Sequence, residues 1–163
     1  MSGMDLPLAV MILIPEPWAN NSLMSQKKKD FYQYYATMME PWDGPASILF
    51  SDGDIMGAVL DRNGLRPSRY YITDDDYLIL SSEVGVLDID PTKIVVKERL
   101  RPGKMLLVDT VKGRVIDDDE LKETYAGKQP YGEWIDRNLL NLKDLKIPNQ
   151  RVPEYTKEER QRM

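Results

Sequence analysis

Apolar and polar positions follow distinct patterns along the first forty residues. A continuous apolar run at residues 8–14 lies between Pro7 and Pro15, and its length suits either a buried strand or a short buried helix. Over residues 25–39 apolar side chains recur at spacings of three and four, which predicts an amphipathic helix that Pro41 ends. The chain therefore begins with one ambiguous buried segment and one helix.

Short apolar strands separated by turn residues fill the middle of the chain. Residues 46–50 and 55–60 flank an Asp52-Gly53 pair, which favours a tight antiparallel hairpin because glycine tolerates positive φ. A second hairpin is predicted where residues 69–73 and 77–81 flank three consecutive aspartates. Further strands are predicted at residues 94–96, 105–108 and 114–116.

Helical patterns return after the last predicted strand. Asp117 and Glu120 have the spacing of a capping box, which predicts the start of a helix. Another helix is predicted over residues 130–140, and beyond it the polar and proline content rises as in a linker. The predicted organisation is one domain over residues 1–127, followed by a helix and linker over residues 128–163.

The composition narrows the range of functions. Of the 163 residues, 42% are hydrophobic and 30% are charged, as in soluble globular proteins. The net charge of −5 argues against a nucleic-acid partner, because phosphate binding needs a concentrated basic surface. The first apolar run is too short to span a membrane. We therefore expect a cytoplasmic protein with no nucleic-acid or membrane partner.

The sequence contains neither cysteine nor histidine. This excludes disulfides, Cys-based zinc sites and a Cys nucleophile, and it removes the commonest general base and metal ligand. The acidic runs at residues 74–76 and 117–120 lack the ligand spacing of a calcium loop, so a turn and a helix cap are expected there. Residue types and spacing predict no catalytic residue, no cofactor-binding residue and no metal ligand.

The connection between the strands at residues 55–60 and 69–73 is the best candidate for chemistry. Its sequence, DRNGLRP, holds two arginines and an aspartate between a glycine that permits a tight turn and a proline that fixes the chain. Arginines held in this way could bind a carboxylate or phosphate. The alternative is purely structural. In this case Asp61 pairs with one arginine and locks the loop, and Glu83 pairs with Arg62 or Arg66. The candidate residues are Asp61, Arg62, Asn63, Gly64, Arg66 and Glu83.

Several blocks of the sequence carry a resemblance to a known family. They are MEPWDGPASILFSDGDIMGAVLDRNGLRPSRYY, SSEVGVLDI and RLRPGKMLLVDTVKGRVIDDDELK, in that order. They resemble the later half of the class II glutamine amidotransferase domain in glutamate synthase large chains. LPLAVMILIPEPW and PYGEWIDRNLLNL extend the resemblance over essentially the whole chain. It implies an α+β fold, part of an αββα sandwich of the N-terminal-nucleophile hydrolase type, with antiparallel strands and flanking helices.

The chemistry implied by the resemblance uses groups that this sequence does not match. In that family an N-terminal cysteine attacks the amide carbon of glutamine, its own α-amino group acts as the base, and an Asn-Gly pair forms the oxyanion hole. No position here corresponds to these groups, so none is transferred, and the chain is expected to be inactive alone. The six candidate residues are expected to support the glutamine site from behind.

The resemblance also implies partners and cofactors for a longer parent enzyme. FMN, an iron–sulfur cluster and electrons from NADPH, NADH or ferredoxin are implied for the parent and for no residue of this chain. Glutamine is the parent's implied substrate. The implied partners are the rest of the large chain and, as a further candidate, the small subunit. Half of a sandwich exposes apolar surface, so self-association is also expected.

Three hypotheses about function remain open. The leading one is a part of glutamate synthase, which releases ammonia from glutamine for reductive amination of 2-oxoglutarate. The second is a non-catalytic binding or regulatory module that keeps an amidotransferase-like half-sandwich. The third is a small-carboxylate binder that uses Arg62 and Arg66.

Overall fold

The structure, a computed structural model, describes residues 3–83, 85–145 and 155–162. The helices in these ranges are α1 Leu6–Leu13, α2 Gln26–Ala36, α3 Asp118–Ala126, α4 Tyr131–Asn138 and α5 Lys157–Arg160. The strands are β1 Ser47–Ser51, β2 Ile55–Leu60, β3 Arg69–Thr73, β4 Leu78–Ser81, β5 Ile94–Arg99, β6 Met105–Asp109 and β7 Arg114–Ile116. None of these described helices is long and apolar enough to cross a membrane.

The strands form two antiparallel sheets. The four-stranded sheet has the order β1-β2-β6-β7, and its register sets Ala58 of β2 opposite Leu49 on one side and Leu106 on the other. The three-stranded sheet has the order β4-β3-β5. Both hairpins predicted from the turn residues, β1–β2 and β3–β4, are present.

Helices α1 to α4 cover one face of the four-stranded sheet. That face carries Ile48, Phe50, Val59, Met105 and Leu107. Phe31 of α2 lies at the centre of this core with no exposed surface. Its ring meets those of Tyr35 and Tyr131 edge to face, at centroid distances of 4.9 and 5.4 Å. The predicted amphipathic helix therefore exists, and its aromatic residues are core.

The three-stranded sheet covers the opposite face. Ala58, Leu60 and Leu106 of the larger sheet lie against Leu100, Tyr70, Leu78 and Leu80. Strands β2 and β6 are consequently buried on both faces, and the layers run helices, four-stranded sheet, three-stranded sheet. The predicted fold class, α+β with antiparallel strands and flanking helices, is confirmed.

The structure shows which element the first apolar run forms, and it corrects the predicted capping box at Asp117. Residues 6–13 are helical, and Pro7 lies in the first turn, where its missing N–H breaks no helical hydrogen bond. Asp117 caps α3 as predicted, by accepting N–H groups of the first turn. The capping box is not closed, however, because the Glu120 carboxylate pairs with Arg114 at 2.6 Å.

The division of the chain after residue 127 stays a prediction. Helix α4, which follows that point, packs on α2 through the rings of Tyr34, Tyr131 and Trp134, with centroids 5.2 to 5.7 Å apart. Of the predicted linker, residues 146–154 and 163 lie outside the described residues.

Replacing Phe31 by alanine is expected to lower the free energy of unfolding by about 3–5 kcal/mol, because the fully buried ring would leave a cavity among its aromatic neighbours. Urea unfolding followed by circular dichroism measures this change. Leu23 is 96% exposed and supplies a matched control, since Leu23→Ala should change the same free energy by less than about 0.5 kcal/mol. Equal effects of the two substitutions would contradict the core described above.

Candidate functional site

The carboxylate of Asp61 closes the start of the DRNGLRP loop, residues 61–67. Asp61 directly follows β2 and is 2% exposed. Its oxygens accept the N–H groups of Ala46 at 3.0 Å, Asn63 at 2.9 Å and Gly64 at 3.1 Å. The Asp61 N–H donates to the Ala46 carbonyl at 3.1 Å. One buried side chain thus joins the end of β2 to the residue before β1 and fixes the turn of the loop.

These backbone donors favour the ionised form of Asp61. The Ala46 N–H does most to lower the pKa of the carboxyl below its ordinary value, and Asn63 and Gly64 add to this, while burial acts in the opposite direction. The ion pair between Asp61 and an arginine, which the structural alternative predicted, is wrong for the described residues. Among the described residues, Arg62 pairs instead with Asp43 at the surface, at 2.9 Å. Backbone N–H groups stabilise the charge of this aspartate, in place of a guanidinium.

Gly64 fits the loop because it has no side chain. Its φ is +60°, a left-handed conformation that other residues rarely adopt. A Cβ atom at this position would lie 2.3 Å from the Pro102 ring, in the connection between β5 and β6. The glycine predicted as a turn residue is thus needed for close packing as well. The contact with Pro102 depends on tertiary packing, and no local sequence signal indicates it.

The two arginines of the loop line different cavities. Arg62 borders a cavity of about 510 Å³ together with Trp18 and Trp42. Arg66 borders a cavity of about 750 Å³, and Trp42 lies in the wall of that cavity too. A carboxylate ligand in either described cavity would therefore meet one of these guanidinium groups, instead of the pair that the sequence suggested.

Glu83 lines the larger cavity together with residues of the loop. It follows β4, it is exposed, and it lines the same cavity as Arg66. The predicted ion pair of Glu83 with Arg62 or Arg66 is not formed, since the salt bridge of the loop within the described ranges joins Arg62 to Asp43. Val84, in the quoted SSEVGVLDI block, lies outside the described residues. Glu83 and Arg66 are therefore gathered around one space without pairing with each other.

Trp42 is a residue of the site that the sequence analysis did not select. Its backbone N–H donates to the Leu13 carbonyl at 2.7 Å, and its indole N–H donates to the Gly44 carbonyl at 3.2 Å. These bonds hold the ring between the two cavities, although the side chain is half exposed. A tryptophan beside a proline in a loop is a signal that could have identified it.

The fold class agrees with a comparison of the whole sequence against known families. The sequence model described as glutamine amidotransferases class-II matches residues 1–134, which is most of the chain. The chain belongs to the class II glutamine amidotransferases.

Its relatives within that family are glutamate synthases. The chain is 51% identical over 142 residues to the glutamate synthase [NADPH] large chain of Bacillus subtilis, covering 87% of this chain and 9% of that protein. It is 52% identical over 141 residues to the glutamate synthase [NADH] of Schizosaccharomyces pombe, covering 86% and 7%. It is 46% identical over 156 residues to the ferredoxin-dependent glutamate synthase 1, chloroplastic/mitochondrial, of Arabidopsis thaliana, covering 94% and 10%. The chain thus spans at most a tenth of the length of these relatives.

Asp61→Asn is expected to lower the free energy of unfolding by about 2 kcal/mol at neutral pH, because the amide replaces a charged acceptor of three backbone N–H groups. The pKa of Asp61 is lowered in the folded state, so its contribution is complete above the ordinary value of 3.8 and is lost as the pH falls below it. The difference between wild type and variant should therefore shrink below about pH 4.

Urea unfolding at a series of pH values from neutral to acidic measures this difference. Asp88→Asn is the matched control, because Asp88 is exposed and the same substitution there should have little effect at any pH. A difference between wild type and Asp61→Asn that stays constant into the acidic range would contradict the role assigned to the ionised carboxylate.

Proposed function

We propose that this chain is the later half of the amidotransferase domain of a glutamate synthase large chain. In the parent enzyme this domain hydrolyses glutamine to glutamate and ammonia, and the ammonia serves the reductive amination of 2-oxoglutarate. The observation that carries the proposal is the 46–52% identity to three glutamate synthases over 86–94% of the chain.

The DRNGLRP loop supports the glutamine site of the parent in this proposal. Asp61 and Gly64 hold the loop in one conformation through buried hydrogen bonds and close packing. Arg66 and Glu83 line the cavity of about 750 Å³ beside it. A preorganised loop of this kind limits the motion of residues that contact substrate, and such rigidity favours catalysis. Asp61, Asn63 and Gly64 act through loop conformation, and Arg62, Arg66 and Glu83 through the cavity walls.

The reacting group of the parent lies outside this chain in our proposal. The nucleophile of the family is an N-terminal cysteine, and this sequence contains no cysteine. We therefore propose that the chain alone has no glutaminase activity, and that the rest of the large chain completes the site.

The cofactors of the parent are also assigned to other regions. Iron–sulfur clusters are held by cysteine thiolates. This sequence has no cysteine, so it does not provide the ligands that such a cluster needs. The relatives are named for NADPH, NADH and ferredoxin, yet each is similar to this chain to nearly the same extent. We propose that the contacts with FMN and with the electron donor lie in other parts of the parent.

The second candidate function is the binding of an amino acid without catalysis. One observation favours it: the lining of the larger cavity includes both a guanidinium, from Arg66, and a carboxylate, from Glu83. These groups complement the carboxylate and the ammonium group of an amino acid. In this case the chain would be a binding or regulatory module with an amidotransferase-like half-sandwich.

The isolated chain is expected to release no ammonia from glutamine above the buffer rate, because it lacks the nucleophile. The same chain joined to the segment that precedes it in its gene is expected to release ammonia with saturable kinetics. A coupled assay for ammonia compares the two proteins, and replacing the N-terminal cysteine of the longer protein by alanine is the control.

Either of two results would contradict the proposal. Saturable ammonia release by the isolated chain would show that it carries its own nucleophile. A gene bounded by this chain alone, together with heat of glutamine binding in calorimetry that Arg66→Ala abolishes, would favour the binding module.

The isolated chain is also expected to self-associate through its apolar sheet edge. Leu49 on edge strand β1 is 63% exposed, and Met56 and Leu87 lie half exposed beside it around a cavity of about 560 Å³. Leu49→Lys should weaken association about tenfold or more, because it places a charge on an apolar edge. Sedimentation equilibrium measures this, with Val111→Lys in the β6–β7 turn as control. A wild-type chain that stays monomeric at high concentration would overturn the expectation.

A further inference from the structure

A buried ammonium group lies where separate segments of the fold meet. The side chain of Lys122, on α3, is 4% exposed. Its Nζ donates to the carbonyl oxygen of Gly103 and lies 2.9 Å from Asp118 Oδ1 and 3.2 Å from Glu16 Oε1. An ammonium group has three N–H donors, and these three oxygens can accept one each. Lys122 is therefore a buried cation with a partner for every donor.

Further partners hold the two carboxylates around this ammonium group. Asp118 also accepts the N–H of Met105 at 2.8 Å and lies 2.9 Å from Lys104 Nζ. Glu16 accepts the hydroxyl of Tyr32 at 3.2 Å, and burial raises the pKa of Tyr32 far above its ordinary value, so this phenol stays a donor. Buried charges are stable only when they are paired and hydrogen-bonded. The Lys122 cluster consists of Glu16, Tyr32, Lys104, Asp118 and Lys122.

The Lys122 cluster fixes the turn that carries Pro102. Gly103 is in the left-handed region at φ +69°, and its carbonyl is the one that Lys122 binds. The next residue, Lys104, is tied to Asp118 through its side chain and to the Arg101 carbonyl through its N–H, at 3.2 Å. The two residues that follow Pro102 are thus both held by contacts with α3.

Pro102 in turn lies against the DRNGLRP loop. The contact is too close to admit a Cβ atom at Gly64, so the proline ring covers the turn directly. On its other side, the Gly64 N–H is bonded to Asp61. The loop is therefore enclosed between a carboxylate that belongs to it and a proline that the Lys122 cluster holds.

We propose that Lys122 is a positioning residue for the DRNGLRP loop. Its ammonium group fixes the Gly103 carbonyl, and the Pro102 ring then keeps Gly64 in its left-handed conformation on the Asp61 carboxylate. The inference rests on the proposed function only where it treats this loop as support for a glutamine site. A purely structural lysine would stabilise α3 and the core, and its loss would act evenly on the whole fold.

Amide hydrogen exchange, followed by NMR in the full 163-residue chain, separates these two roles. In Lys122→Met the N–H groups of Asn63 and Gly64 should exchange about tenfold faster, because a hydrogen bond from a charged donor is lost beneath the loop. The N–H of Tyr77, in the distant β3–β4 turn, is the reference and should change by less than about twofold. Lys27→Met, at an exposed position of α2, is the matched control. It should change neither the exchange of the Asn63 and Gly64 N–H groups nor that of the Tyr77 N–H.

Pro102→Ala tests whether Lys122 acts on the loop through Pro102, and it leaves the residues of the Lys122 cluster unchanged. It should itself accelerate exchange at Gly64, and in its presence Lys122→Met should add less than about twofold, because the link between turn and loop is already broken. If Lys122→Met does not fold, Pro102→Ala still tests the proposal, since unchanged exchange at Gly64 in that variant would overturn it. Equal acceleration at Gly64 and Tyr77 in Lys122→Met would overturn it as well. Ammonia release enters neither measurement, so a failure of the proposed function would be seen separately.

Discussion

The two central strands of the four-stranded sheet, β2 and β6, are packed on both faces, and the rest of the structure depends on this constraint. Strands β2 and β6 carry apolar side chains toward the helices on one side and toward the smaller sheet on the other. A strand in this position can place functional groups only beyond its ends, because both of its faces are used for packing. The candidate loop begins directly after β2.

The end of a doubly buried strand must satisfy its backbone groups without water. Asp61 does this for the chain leaving β2 and for Ala46 before β1 at the same time. The Lys122 cluster does the corresponding work at the entry to β6, where Asp118 accepts the Met105 N–H. The two central strands are thus terminated by buried charged groups, and both of these termini adjoin the same loop.

Local signals in the sequence were sufficient for most of the elements, although not for the first apolar run, and insufficient for the contacts between elements. The Asp-Gly pair, the amphipathic spacing around Phe31 and the cap at Asp117 each predicted the correct element, because each acts over a few residues. The partner of Asp61 was predicted wrongly. Every residue except proline has a backbone N–H group, so residue types do not show which of these groups a carboxylate binds. Lys122 was not selected from the sequence, since Glu16 and Gly103 approach it only in the folded chain.

The central pairing of the sheet also determines when the fold can form during synthesis. Strands β1 and β2 meet through a short hairpin, whereas the β2–β6 pairing joins residues that are far apart in sequence. Until β6 has left the ribosome, the first hairpin has apolar side chains on both faces and no neighbour to cover its inner edge. Such an early hairpin leaves apolar surface exposed, and this surface is covered only when β6 pairs with β2.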